Sequence, residues 1–132
     1  MRHKRGFYIT AAAVIAIEIF LFSSRPIPQQ IPKIPGMDKI FHFIVYAALS
    51  SAIFGSIIKG KNNYNKALFI SIFLAVLYGL SDEFHQSFVP GRECSLLDLL
   101  ADFLGAAFGA AISLKTLIKR KTIAHRNSIV QN

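Results

Sequence analysis

Four apolar stretches alternate with polar ones along the chain. The first covers 6–24 and is broken once, by Glu18; the second covers 40–58. The third runs from Ala67 to Ser81, and the fourth from about 96 to 118. A helix needs about 20 residues to cross a hydrocarbon core about 30 Å thick. The third stretch, taken alone, would span only about 22 Å at 1.5 Å per residue. Its continuation through Asp82, Glu83, His85 and Gln86 supplies the missing length and sets those groups at the bilayer boundary, facing other helices. The pattern predicts an all-α fold: a polytopic membrane bundle of four transmembrane helices at about 6–24, 40–58, 67–87 and 96–118, forming one membrane domain over 1–132.

The segments between these stretches are short. Residues 25–37 carry four prolines, so an extended, polyproline-like connector is expected at the membrane surface. Asp38 is a plausible N-cap for the second helix. Lys59–Lys66 is a basic loop. Val89-Pro90-Gly91-Arg92 is a turn. Ser95-Leu-Leu-Asp98 has the form of a capping box, with Asp in place of the usual Glu, and opens the fourth helix. The basic start and apolar run at the N-terminus have the outline of a signal peptide. Retention as a first span is the expectation, because the run approaches full span length and Glu18 interrupts what would be the apolar core.

Composition agrees with a membrane class. The 132 residues are 53% hydrophobic and only 17% charged, and the apolar ones are in blocks. The net charge of +8 does not point to nucleic acid, because the basic residues occupy the chain ends and the short loops. The N-terminal tail, the 59–66 loop and the C-terminal tail hold eleven of the 15 Lys and Arg residues; the 25–39 connector and the 89–95 turn hold four. The positive-inside rule then places both termini in the cytoplasm and the 89–95 turn with Cys94 outside; the expected location is the cytoplasmic (inner) membrane. A single cysteine forms no internal disulfide.

Five of the seven acidic residues fall between 78 and 102: Asp82, Glu83, Glu93, Asp98 and Asp102. Intramembrane ionisable groups are expensive and usually mark sites. Glu18, His42, Asp82 with Glu83, and Asp98 with Asp102 come from four different helices. Each lies within roughly 9 Å, along its axis, of the outward end. Asp38, His42 and Tyr46 share a face at i, i+4, i+8, as do Tyr78, Asp82 and His85 or Gln86. Asp98, Asp102, Gly105 and Gly109 form a stripe whose Gly-x-x-x-Gly permits close helix approach, expected inside the bundle rather than at a homodimer seam. Asp98 at a helix start is accounted for by capping. Asp82 and Glu83 oppose their helix dipole and need cations, from Arg92, Lys39, His42 or His85. A pair between Asp82 and Arg92 is expected, because Arg92 is the basic residue of the turn that follows.

Asp82-Glu83, Gln86, Pro90-Gly91-Arg92, Asp98, Gly105 and Gly109, with Asp38-Lys39, His42 and Tyr46 upstream, resemble the signature of VanZ-like membrane proteins. The resemblance covers roughly residues 38–112. One departure is Asp102, where the family pattern often has Asn. The family's name comes from low-level resistance to the glycopeptide antibiotic teicoplanin, and the resemblance implies service to the cell envelope.

The candidate site residues are therefore Asp38, His42, Asp82, Glu83, Gln86, Arg92 and Asp98. The favoured reading is action on, or sensing of, a lipid-linked or wall component of the envelope, with carboxylates and His42 as acid and base and Arg92 holding an anionic group. The alternatives are a small proton or solute transporter and a non-catalytic membrane accessory protein. A divalent metal bound by Asp38, His42, Asp82, Glu83 or Asp98 is less favoured, since no spacing matches a known metal motif. No cofactor is called for; the bilayer is the one partner the composition requires. Whether there is a reaction, and the oligomeric state, stay open.

Overall fold

The computed structural model describes residues 2–28, 34–58 and 64–130, with side chains from residue 5 to residue 129 of these. The middle of the proline-rich connector and most of the basic 59–66 loop lie outside the described residues. Four helices form: α1 (Arg2–Ser23), α2 (Met37–Ile57), α3 (Tyr64–Gln86) and α4 (Leu96–Val130). All four are long and apolar enough to cross a membrane. The third helix does continue through the polar residues to Gln86. The fourth outruns its expected end near 118 by about three turns, since no proline or glycine follows Gly109 to stop it. Its last part is basic and exposed.

The helices run up and down. Tyr8 near the start of α1 lies against Gly55 near the end of α2. Tyr64 at the start of α3 accepts a hydrogen bond from Lys121 of α4, whose ammonium lies 4.9 Å from the tyrosine ring centroid. Helices α2 and α4 therefore run parallel, and they form the most extensive pair in the bundle. Their closeness comes from two glycines. A Cβ on Gly105 would run into the Phe43 carbonyl, and one on Gly109 into the Ala47 carbonyl. Ser50 adds a hydrogen bond to the Ala106 carbonyl, at 2.8 Å. The Gly-x-x-x-Gly stripe is thus an internal seam.

Small residues fill the interior: Ala52, Ala67, Ala75, Ala106 and Ala110 are all buried, around Ile19, Tyr46 and Leu49. The larger apolar side chains point outward, as on α3 with Phe69, Phe73, Leu77, Leu80 and Phe84. In water such a surface would be a liability; in lipid it is the solvated face. Helix α1 packs on α2 and, less, on α3, where Tyr78 donates to the Ala16 carbonyl at 2.6 Å.

The α3–α4 turn closes onto the α1 end. Ile27 N–H donates to the Pro90 carbonyl at 3.2 Å. Gly91 has φ of 79° and lies against the Ile27 backbone, so this position needs glycine on both counts.

Gly109→Ala should lower unfolding stability in detergent by about 1–3 kcal/mol, because the added methyl must separate the α2 and α4 backbones. Gly6→Ala, where nothing lies within 4 Å of the added carbon, should leave stability unchanged or slightly raised. Equal behaviour of the two variants would contradict the seam.

Candidate functional site

Close approach of α2 and α4 brings their polar residues level at one end of the bundle. Asp102 on α4 meets His42 on α2, Oδ1 lying 2.9 Å from Nδ1. Asp102 is fully buried and His42 is 6% exposed. One turn nearer the helix starts, Lys39 donates to Asp98 at 2.9 Å and to Asp38 at 2.9 Å. Below the dyad, the Tyr46 ring lies parallel to the His42 ring, 6.1 Å away between centroids.

Helix α3 completes the group from the other side. A Cβ on Gly79 would sit 2.6 Å from Asp102 Oδ2 and 3.2 Å from the Tyr46 ring, so the missing side chain makes the room for both. Glu83 reaches the start of α4: its Oε2 accepts the Ser95 N–H at 2.8 Å. This supplies from a neighbouring helix the contact that a capping box would make within one. The other oxygen, Oε1, lies 3.9 Å from His42 Nδ1. Asp82 accepts from Gln86 one turn on, at 2.9 Å. Asp82, Glu83, Gln86, Asp98 and Asp102 are all buried.

Three buried side-chain atoms among the described residues have no hydrogen-bond partner: Tyr46 OH, Glu83 Oε1 and Asp102 Oδ2. All three belong to this cluster. Native interiors leave few such atoms, and each calls for an explanation. A small recess opens beside them, lined by Phe22, Phe41, His42, Asp82, Gln86 and Arg92 among others. The Phe22 and Phe41 rings meet across it, 4.6 Å apart between centroids.

The chain's residues 7–119 match the family model described as VanZ/LLP1. The chain belongs to the VanZ/LLP1 family. No curated protein and no solved structure matches it. The cluster of this VanZ/LLP1 protein draws on both blocks that carry the resemblance, and Gly105 and Gly109 of the signature supply the close approach that joins them.

Several expectations change. Glu18 does not join the cluster: it is exposed, and the next residue, Ile19, is the buried one. A step of 100° around the helix separates the two. Helix α1 contributes its end instead, where Ser23 is buried and the Ser24 hydroxyl shares a 3.0 Å hydrogen bond with His85 Nε2. Asp38 does not cap α2. The N-cap is Gly36, with φ of 78°, and Asp38 sits in the first turn, exposed, paired with Lys39. Asp98 is held by Lys39 across the α2–α4 seam, so capping alone does not account for it.

Arg92 does not pair directly with Asp82. Its Nη2 donates to the Phe22 carbonyl at 2.7 Å and its Nε to the Arg25 carbonyl at 3.3 Å. The guanidinium also lies 5.2 Å from the Phe22 ring centroid. Arg92 thus caps the C-terminal end of α1, where carbonyls are orphaned and the dipole favours a cation. Partial burial pulls its pKa below the ordinary arginine value, and the charges of Asp82 and Glu83 oppose that fall.

Two residues outside the candidate set prove central. Asp102 stood in the sequence one turn from Asp98 on the same stripe, which was a usable signal. Gly79 had none: a glycine within an apolar run reads the same whether it faces lipid or a carboxylate.

Arg92→Gln should cost about 1–2 kcal/mol of stability through the lost carbonyl contacts. Combined with Asp82→Asn it should show a coupling of no more than about 1 kcal/mol, a charge effect across the recess and not a direct pair. A coupling well above that value would mean the two side chains pair in solution.

Proposed function

We propose that this VanZ-family protein acts on a lipid or wall component of the cell envelope at the outer face of the cytoplasmic membrane, the whole chain working as one membrane domain with α1 retained. The observation that carries this reading is the buried His42–Asp102 pair with the free oxygen of Glu83 beside it. Asp102 fixes the imidazole, which is then ready to take or give a proton. Glu83 offers a second carboxylate within reach of the same nitrogen. This is acid–base equipment confined to one end of an otherwise apolar bundle.

The basic residues favour cytoplasmic termini, eleven against four, and that orientation turns the cluster outward. The recess between α1, α2 and α3 then lies beside His42 at that face, and the Phe22 and Phe41 rings that meet across it would have to part to admit a lipid-borne head group. Helix α1 forms one wall of it through Ile19, Phe22 and Ser23, a contribution that removal of the N-terminal block would abolish. Arg92 stands at the rim. With its guanidinium engaged by α1 carbonyls, its role is to hold that wall in place rather than to carry the anion itself. A route for protons across the membrane is less well supported: towards the other face, the buried polar groups Ser50 and Ser71 each bond to a backbone carbonyl.

Cells lacking the protein should show an altered profile of envelope lipids or wall precursors, measured by mass spectrometry. The original chain should restore it, and His42→Gln and Asp102→Asn, at equal protein level, should not. An unchanged profile in the deletion strain would contradict the proposal; restoration by both variants would move the activity away from the dyad.

A further inference from the structure

We propose that His42, Glu83 and Asp98 bind a divalent transition-metal ion. A ring nitrogen of His42 and one carboxylate oxygen from each of Glu83 and Asp98 all lie within 4.8 Å of one another, and all three residues are buried. They come from α2, α3 and α4, which is why no spacing along the sequence betrays them. Ligands of a tetrahedral ion bound at about 2.1 Å stand about 3.4 Å apart. The three groups therefore need to draw in by roughly 1 Å, within the reach of side-chain torsions.

The second, independent observation is the state of Glu83. The residue is 2% exposed, and Oε1 has no hydrogen-bond partner. That oxygen points into the group, 3.9 Å from His42 Nδ1. A buried carboxylate oxygen with an unused lone pair is costly where it stands and is well suited to a cation.

Charge leads the same way. Asp82, Glu83, Asp98 and Asp102 are four buried carboxylates, and the cations in contact with them are Lys39 and, when protonated, His42. A dication with a neutral His42 offsets the surplus more fully than a proton on the imidazole. Asp102 holds His42 Nδ1, the nitrogen nearest Glu83: an ion taken at Nδ1 displaces the proton of that hydrogen bond, whereas an ion taken at Nε2 leaves Asp102 in place to orient the ring. Lys39 competes for Asp98 and gives up that bond when an ion enters, keeping Asp38, also at 2.9 Å, as its remaining carboxylate. One nitrogen and two carboxylate oxygens suit Zn²⁺ or Mn²⁺ better than the all-oxygen preference of Ca²⁺ or Mg²⁺. This inference does not depend on the envelope reading, and it replaces one part of it: a His42 that ligates an ion does not also act as acid or base, and a metal bound for stability alone would satisfy the site.

The test is calorimetric titration of the full-length, tag-free protein in detergent. The exposed thiol is removed by Cys94→Ser, adventitious metal is stripped with chelator, and Zn²⁺ or Mn²⁺ is added alone. One ion per chain is expected for at least one of the two metals, with affinity about tenfold or more weaker in Glu83→Gln and in Asp98→Asn. Lys39→Met should bind more tightly than the parent, because it removes the competing ammonium, and a gain of affinity cannot come from misfolding. No saturable binding of either metal to the parent overturns the site. So does binding that both carboxylate variants leave unchanged. If those variants do not fold, Lys39→Met decides: tighter binding supports the site, and equal or weaker binding overturns it.

Discussion

Four carboxylates buried at one end of an apolar bundle are the constraint that the rest of the structure answers. An isolated carboxylate moved out of water is so costly that it survives only with donors or counter-charges at hand. Each of the four finds a different solution: Asp102 takes His42, Asp98 takes Lys39, Asp82 takes Gln86, and Glu83 takes a backbone N–H at the start of α4. Three of the four partners lie on another helix, so the polar group also fixes how the helices sit. The glycines serve it. Gly105 and Gly109 let α4 approach α2 until His42 and Asp102 meet, and Gly79 leaves α3 the space to close over them.

The unsatisfied atoms show where this solution is incomplete. Tyr46 OH, Glu83 Oε1 and Asp102 Oδ2 are buried without hydrogen-bond partners. A structural ion-pair network would be expected to satisfy its own members. Leaving three atoms over, beside a recess that opens between α1, α2 and α3, sets this end of the bundle apart from the rest. The bundle elsewhere is held by small residues and lipid-facing bulk, with little left to satisfy.

Much of this was legible in the sequence, for a physical reason. Charged groups in apolar runs are rare, so His42, Asp82, Glu83 and Asp98 stood out without any knowledge of their neighbours. Spacing also carried the internal role of the Gly105–Gly109 stripe. What the sequence could not supply was direction. Glu18 lies at the right depth but one residue off the buried face. Arg92 follows a Pro-Gly turn, and whether such a turn aims its side chain back at α3 or across to α1 depends on how the connector of α1 pairs with it, through Ile27 and Pro90. Asp98 had a sufficient local explanation in capping, which hid its bond to Lys39 across the seam. Helix extent was likewise underdetermined past 118, since a basic stretch with good helix formers continues α4 as readily as it ends a span.

The His42–Asp102 contact is a buried pair that joins α2 to α4. It is tested most directly by a double-mutant cycle on unfolding in detergent, with His42→Phe, Asp102→Leu and the two together. Each single change leaves a buried partner unmatched and should cost about 3–5 kcal/mol. The double variant should be much less destabilised than the sum, with a coupling energy of about 2–3 kcal/mol. Additivity within about 0.5 kcal/mol would mean that the two side chains do not meet, and the site built on them would fall with it.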